Sequence, residues 1–183
     1  MLARIQGGSP AMARMLGGAA WAGVVLGVLG WTIGGARAQT ADGPGRLMPD
    51  RGAQHVAQGT HITYPEYPPT SGPHWPRPAE WGIYTTPVPE EQFVHNLEHG
   101  GIVILYRCPG GCPDLVRELD AIVRTLPPSK YGHRKVVLSP NDRIPSRIAL
   151  LAWRRLEELD AVDREGIVRF VRAYQDRGPE DVP

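Results

Sequence analysis

Eight prolines crowd positions 65 to 89: Pro65, Pro68, Pro69, Pro73, Pro76, Pro78, Pro87 and Pro89. Each fixes φ and removes a backbone donor, so neither a long helix nor a central strand can run through this stretch. The same region carries Tyr64, Tyr67, Trp75, Trp81 and Tyr84. A flexible linker has little use for five large aromatic side chains. Residues 55–92 are therefore expected to form an irregular but ordered cover, and the regular elements must follow it.

They do follow in the pattern. Glu90 to His99 reads as a short helix, with Pro89 suited to its first turn and Glu90 and Glu91 to the positive end of its dipole. Ile102-Val103-Ile104-Leu105-Tyr106 is a continuous apolar run, as in a strand buried on both faces. Asp114 to Leu126 is amphipathic, with Leu115, Leu119, Ile122, Val123 and Leu126 at helical spacing before Pro127-Pro128. Lys135 to Ser139 reads as a second strand. Ile148 to Leu159 is ambiguous, apolar early and charged late. Asp163 caps a final helix whose apolar stripe is Ile167, Val168, Phe170, Val171 and Tyr174. This order predicts a small α/β or α+β domain, a single sheet with packed helices under the proline-rich cover.

Ahead of the cover, residues 1–38 resemble a targeting segment. Arg4 and Arg14 precede an uncharged run from Met15 to Gly35, and Ala36-Arg37-Ala38 is a small-x-small cleavage pattern. The run is also long enough to span a bilayer, so membrane attachment through residues 15–35 is the alternative to cleavage. No Arg-Arg pair indicates a twin-arginine route. Either way the remainder is expected outside the cytoplasm: periplasmic, at the cell surface or secreted. Residues 39–54 are polar and Gly-rich and read as a flexible lead-in. Residues 55–183 form one globular domain by length. The part after position 38 holds 17 of the 20 Lys and Arg and all 19 Asp and Glu, a formal charge of −2. That balance provides no basic field for nucleic acid and no polybasic patch for lipid. The sequence names no protein partner.

All six histidines lie between positions 55 and 133. In His95-Asn96-Leu97-Glu98-His99-Gly100-Gly101, two imidazoles four apart share a helical face, and Glu98 can join them before the Gly pair ends the helix. His74 sits in a Gly-Pro turn. Two His from one helical turn with a third from a loop make a three-nitrogen face, as open zinc sites and some copper sites use. His55 or Glu98 can close the shell, or Glu98 can orient a ligand ring. The candidate metal residues are therefore His74, His95, His99 and His55, for copper or zinc. Only Met48 remains of the methionines once the leader is set aside, which argues against a methionine-rich copper carrier. His95-x-x-Glu98-His99 also matches the H-x-x-E-H order of inverted zinc proteases, where the Glu is the general base. Gly100-Gly101 stops the helix that such a site needs, so hydrolysis with Glu98 as base is the alternative reading. A structural or interaction domain at the cell surface is the third.

Cys108 and Cys112 stand in Cys-Pro-Gly-Gly-Cys-Pro. In an oxidising compartment the simple expectation is a local disulfide. A redox dithiol or a thiolate metal site is the rival, since C-x-x-x-C-P resembles the copper loop of cytochrome-oxidase-assembly chaperones.

Four blocks come in a familiar order: Pro68-Pro69-Thr70-Ser71-Gly72-Pro73-His74, Gly82-Ile83-Tyr84, Val94-His95-Asn96-Leu97-Glu98-His99-Gly100-Gly101 and Ala149-Leu150-Leu151-Ala152-Trp153. Together they resemble the domain-of-unknown-function family 3105 over about residues 55–180. The resemblance implies an exported or membrane-anchored bacterial α/β domain. It also implies that His55, His74, His95 and His99 are the histidines that count, whereas His61, His133 and the cysteine pair lie outside the pattern. It turns the ambiguous segment after Pro145 into a strand running into Trp153.

Overall fold

The computed structural model describes residues 43–183. The leader expected over residues 1–38 and the first part of the lead-in lie outside the described residues. Among the described residues, no helix is long and apolar enough to cross a membrane.

The described residues are α+β: one mixed six-stranded sheet and three helices. The elements are β1 (Arg46–Leu47), β2 (Gly82–Ile83), α1 (Glu90–Glu98), β3 (Ile102–Tyr106), α2 (Pro113–Thr125), β4 (Val136–Pro140), β5 (Ile148–Ala152), β6 (Arg155–Leu159) and α3 (Arg164–Tyr174). In space the strands run β1-β6-β5-β3-β4-β2. β3 and β4 are parallel, with Ile104 opposite Leu138, so α2 forms the crossover that a parallel pair requires. β5 returns antiparallel to β3, with Ile104 opposite Leu150. β6 then folds back on β5 through a turn at Trp153 and Arg154. The segment read as one strand into Trp153 is thus the first arm of a hairpin.

Alternation along the strands divides the core in two. Ile102, Ile104, Tyr106, Leu138, Ile148 and Leu150 face α2 and α3 and meet Leu119, Ile122, Ile167 and Phe170. Val103, Leu105, Val137, Ala149 and Leu151 face the other way and meet Phe93, Val94 and Leu97 of α1. All five β3 residues are buried, as a strand covered on both faces must be. The Asp163 carboxylate accepts the Gly166 N–H at 2.9 Å and starts α3 where the sequence places it.

The cover packs as the aromatics suggest. Tyr64, Tyr67, Trp81 and Tyr84 lie against the α1-side core together with Trp153. The described part of the lead-in is packed as well: β1 pairs with β6, Met48 is buried in the α1-side core, and the Met48 N–H donates to the Arg154 carbonyl at 2.9 Å. The cysteines form a disulfide with Cα atoms 5.7 Å apart, inside the range such a bridge needs. Both pack against the α2/α3-side core. The bond leaves no thiolate for a metal or redox role in this state.

Candidate metal centre

Helix α1 is the scaffold. Its apolar side, Phe93, Val94 and Leu97, is fixed to the sheet, which turns His95 and Glu98 toward the cover. The helix stops because Gly100 adopts φ 73°, a left-handed conformation that a side chain would strain. His99 is therefore the cap residue, one turn beyond His95.

Two loop segments bring the other ligands to this helix. The Trp75 N–H donates to the Glu91 carbonyl at 2.8 Å, docking the Gly-Pro-His turn on α1. The Asn96 side-chain amide grips the Ala79 backbone in both directions, each bond 2.8 Å. Glu91 is buried and accepts the Ile62 N–H at 2.9 Å, with the His61 Nδ1 at 3.0 Å. His55 arrives through an isolated parallel bridge to His74. The His74 N–H donates to the Gln54 carbonyl at 2.9 Å, and the Val56 N–H donates to the His74 carbonyl at 2.8 Å. Residues far apart in sequence are thus registered backbone to backbone.

The result, among the described residues, is two overlapping groups of metal-type ligands. His55, His74, His95 and Glu98 form the first, and His95, Glu98, His99 and Glu180 the second; within each, one ligand atom per residue lies within 4.8 Å of the others. The rings of His55, His74 and His95 sit 4.8–4.9 Å apart, centre to centre. His74 Nε2 is 2.9 Å from Glu98 Oε2, and His55 Nε2 is 3.5 Å from the same oxygen. His95 Nε2 faces His99 Nε2 at 2.9 Å. His99 Nε2 lies 3.2 Å from Glu180 Oε2.

The far ring nitrogens are already committed. His74 Nδ1 lies 2.8 Å from the Gly72 carbonyl, and His95 Nδ1 lies 2.7 Å from the Trp75 carbonyl. A carbonyl only accepts, so each Nδ1 must carry the proton. Each ring then turns its Nε2 toward the site, the orientation that outer-shell carbonyls give metal-bound histidines. Burial holds the His95 imidazole below its ordinary value, against the raising effect of the Trp75 carbonyl; the neighbouring His74 and His55 rings also lower it. Burial lowers His99 too, and His95 beside it works in the same direction. Both effects keep these rings neutral and able to bind a cation.

The structure places the four sequence-predicted histidines around Glu98. It divides them, however: His55 and His74 join His95 in one group, and His99 joins His95 in the other. His61 and His133 are in neither group. The sequence reading does not contain Glu180, a single acid in a polar tail with no pattern around it. Nor does it contain the Gly72 and Trp75 carbonyls, which only geometry reveals.

A comparison of the chain with curated proteins and with solved structures finds no match in either. One family model does match, over residues 55–183, and carries the description "Protein of unknown function (DUF3105)". It spans the cover, α1 and every later element, and so includes every residue of both ligand groups. The chain belongs to the DUF3105 family.

Proposed function

We propose that this is an exported domain that binds and handles copper or zinc, held by His55, His74, His95 and Glu98. One observation carries the reading. His74 is fully buried, its Nδ1 proton is committed to the Gly72 carbonyl, and its Nε2 lies 2.9 Å from the buried Glu98 carboxylate. Two acceptors face each other there, so a proton or a metal ion has to lie between them. A proton shared by the ring and the carboxylate can fill that place, but it leaves the converging His55 and His95 rings unused. A metal ion fills it with ligands to match: three imidazole nitrogens and one carboxylate oxygen, a donor set suited to zinc and to copper. When bound, the ion would bring charge and Lewis acidity, and the protein would bring three oriented rings on a rigid helix and a docked turn.

The hydrolytic alternative draws less support. A general base must be free to reach a metal-bound water. Glu98 instead sits against two imidazoles and within the ligand set. Export is supported by the disulfide, a bond that persists in oxidising compartments.

The test is elemental analysis and metal titration of the full chain, purified without a histidine tag. One tightly held copper or zinc ion per chain is expected. His74→Ala should weaken binding by about 100-fold or more. A parent chain that holds no stoichiometric metal, or a His74→Ala chain that holds it equally well, would overturn the proposal.

A further inference from the structure

His99 and Glu180 have no place in the four-ligand group, yet they stand beside it as a second, well-formed pair. His99 Nε2 is 2.9 Å from His95 Nε2 and 3.2 Å from Glu180 Oε2. The tail that carries Glu180 is fixed to the end of α1. The Glu180 N–H donates to the Glu98 carbonyl at 3.0 Å, and the Asp176 N–H donates to the Gly100 carbonyl at 2.8 Å. A Cβ at Gly178 would collide with that same Glu98 carbonyl, so only glycine lets the tail lie this close. The buried Lys135 ammonium donates to the His99 carbonyl at 2.9 Å and also to the Val182 carbonyl, tying cap and tail together. Glu180 is thus positioned by backbone while its side chain remains 45% exposed.

His95 decides how the two groups relate. Its Nδ1 is bonded to the Trp75 carbonyl, so a single nitrogen is left for a metal. That nitrogen belongs to both groups and can serve only one ion at a time. We infer that His99 and Glu180 form an exchange position for the same ion, reached from the first position by a swap of two ligands while His95 and Glu98 stay bound. The inference rests on the metal reading of the first group. In the swap, the bonds from His55 and His74 to the metal break, and bonds from His99 and Glu180 form. No electron moves; His99, whose Nε2 donates to the His95 Nε2 lone pair in the metal-free chain, passes that proton to its own Nδ1 through water as it takes the ion. The first position presents three imidazole nitrogens and one carboxylate, and the second two imidazole nitrogens and two carboxylates. A nitrogen-preferring ion therefore rests in the first and passes through the second. The second position also lies toward solvent: the His99 and Glu180 side chains are 15% and 45% exposed, whereas that of His74 is fully buried. An incoming acceptor can reach Glu180 before it can reach His74. The competing exit is past His55, whose side chain is 45% exposed.

Rates separate these routes. The full, untagged chain is loaded with zinc alone, and transfer to an excess of a chromophoric chelator is followed by stopped flow. Uptake from a weak zinc buffer is followed in the same way. A residue used only in passage changes both rates by one factor, because it contributes nothing to the resting state. Glu180→Gln and His99→Gln should each slow uptake and release by about tenfold. His133→Ala should alter neither rate. Unchanged rates in both variants would assign the exit to the His55 side and overturn the inference while leaving the metal reading intact. Faster release would make His99 or Glu180 a resting ligand, and two tight zinc ions per parent chain would make the centre binuclear; either result overturns it. A parent chain that binds no zinc removes the metal reading itself and the exchange position with it.

Discussion

On one face of the sheet, α2 and α3 lay continuous apolar stripes against Ile102, Ile104, Leu138 and Leu150. On the other face, one short helix and a proline-rich cover do the same task with side chains from many short segments. The first face is regular and contributes no residue to either ligand group. The second is irregular and contributes nearly all of them, with Glu180 arriving from the tail. The physical reason lies in direction. A helix can point only a few residues at one spot, those three or four apart. Additional ligands aimed at that spot from other angles must come from loops, and loops hold a geometry only when they are pinned. The Asn96 clamp, the Glu91 contacts and the His55–His74 bridge do that pinning. The regular core and the candidate metal ligands thus lie on opposite sides of one sheet.

The strongest attack on this division is Phe170→Ala. Phe170 is fully buried on the regular face, and its loss should cost about 3–5 kcal/mol in urea unfolding. Metal stoichiometry of the chains that remain folded should not change. A ligand site that fails together with the α3 core would show that the faces are not independent. Removing the disulfide by Cys108→Ser is the next in size. The loop is short, with a sequence separation of 4, so the loss should be at most about 2 kcal/mol. Metal affinity should hold, since the bridge packs against the regular face; a fall of tenfold or more would tie the cysteines to the site after all.

On the irregular face, His55→Ala sharpens the comparison. His55 is half-exposed, so its removal should leave the unfolding midpoint nearly in place. Affinity for zinc should nevertheless drop by about tenfold, equivalent to about 1.4 kcal/mol. A large stability loss with no change in affinity would make His55 a packing residue. The smallest effect concerns pH in the metal-free chain. His95 and His99 are held below the ordinary value of 6.5 in the folded state. Their neutral forms therefore favour the fold fully above pH 6.5, and that contribution is lost as pH falls through the lower folded values. Unfolding free energy should decline over this window, and His95→Gln should flatten the slope. Stability that rises on mild acidification would contradict the burial described for these rings.

The same contrast explains what could be read in the sequence. Periodicity announces α2 and α3, and an unbroken apolar run announces β3, because burial against a regular partner leaves a regular imprint. β6 was hidden because Arg155, Glu157 and Glu158 dilute the strand pattern, and β1 and β2 are two residues each, too short for any period. His74, His95 and His99 were legible as motif residues and Glu98 through its place between them. His55 was legible as a histidine able to close the shell and through the family resemblance, but not as a neighbour of His74, since that proximity is a backbone pairing with no local signature. Glu180 left no trace at all. Its position depends on hydrogen bonds to the end of a helix formed much earlier in the chain.

That tail has a consequence for the order of events during synthesis. His55, His74, His95, Glu98 and His99 all leave the ribosome well before Glu180, and Lys135 waits for Val182 to complete its bonds. Vectorial folding can therefore raise the sheet and seat the cover while Glu180 is still missing. A chain cut before Glu180 would keep the sheet and the cover but lose the bond from the Glu180 N–H that closes the end of α1.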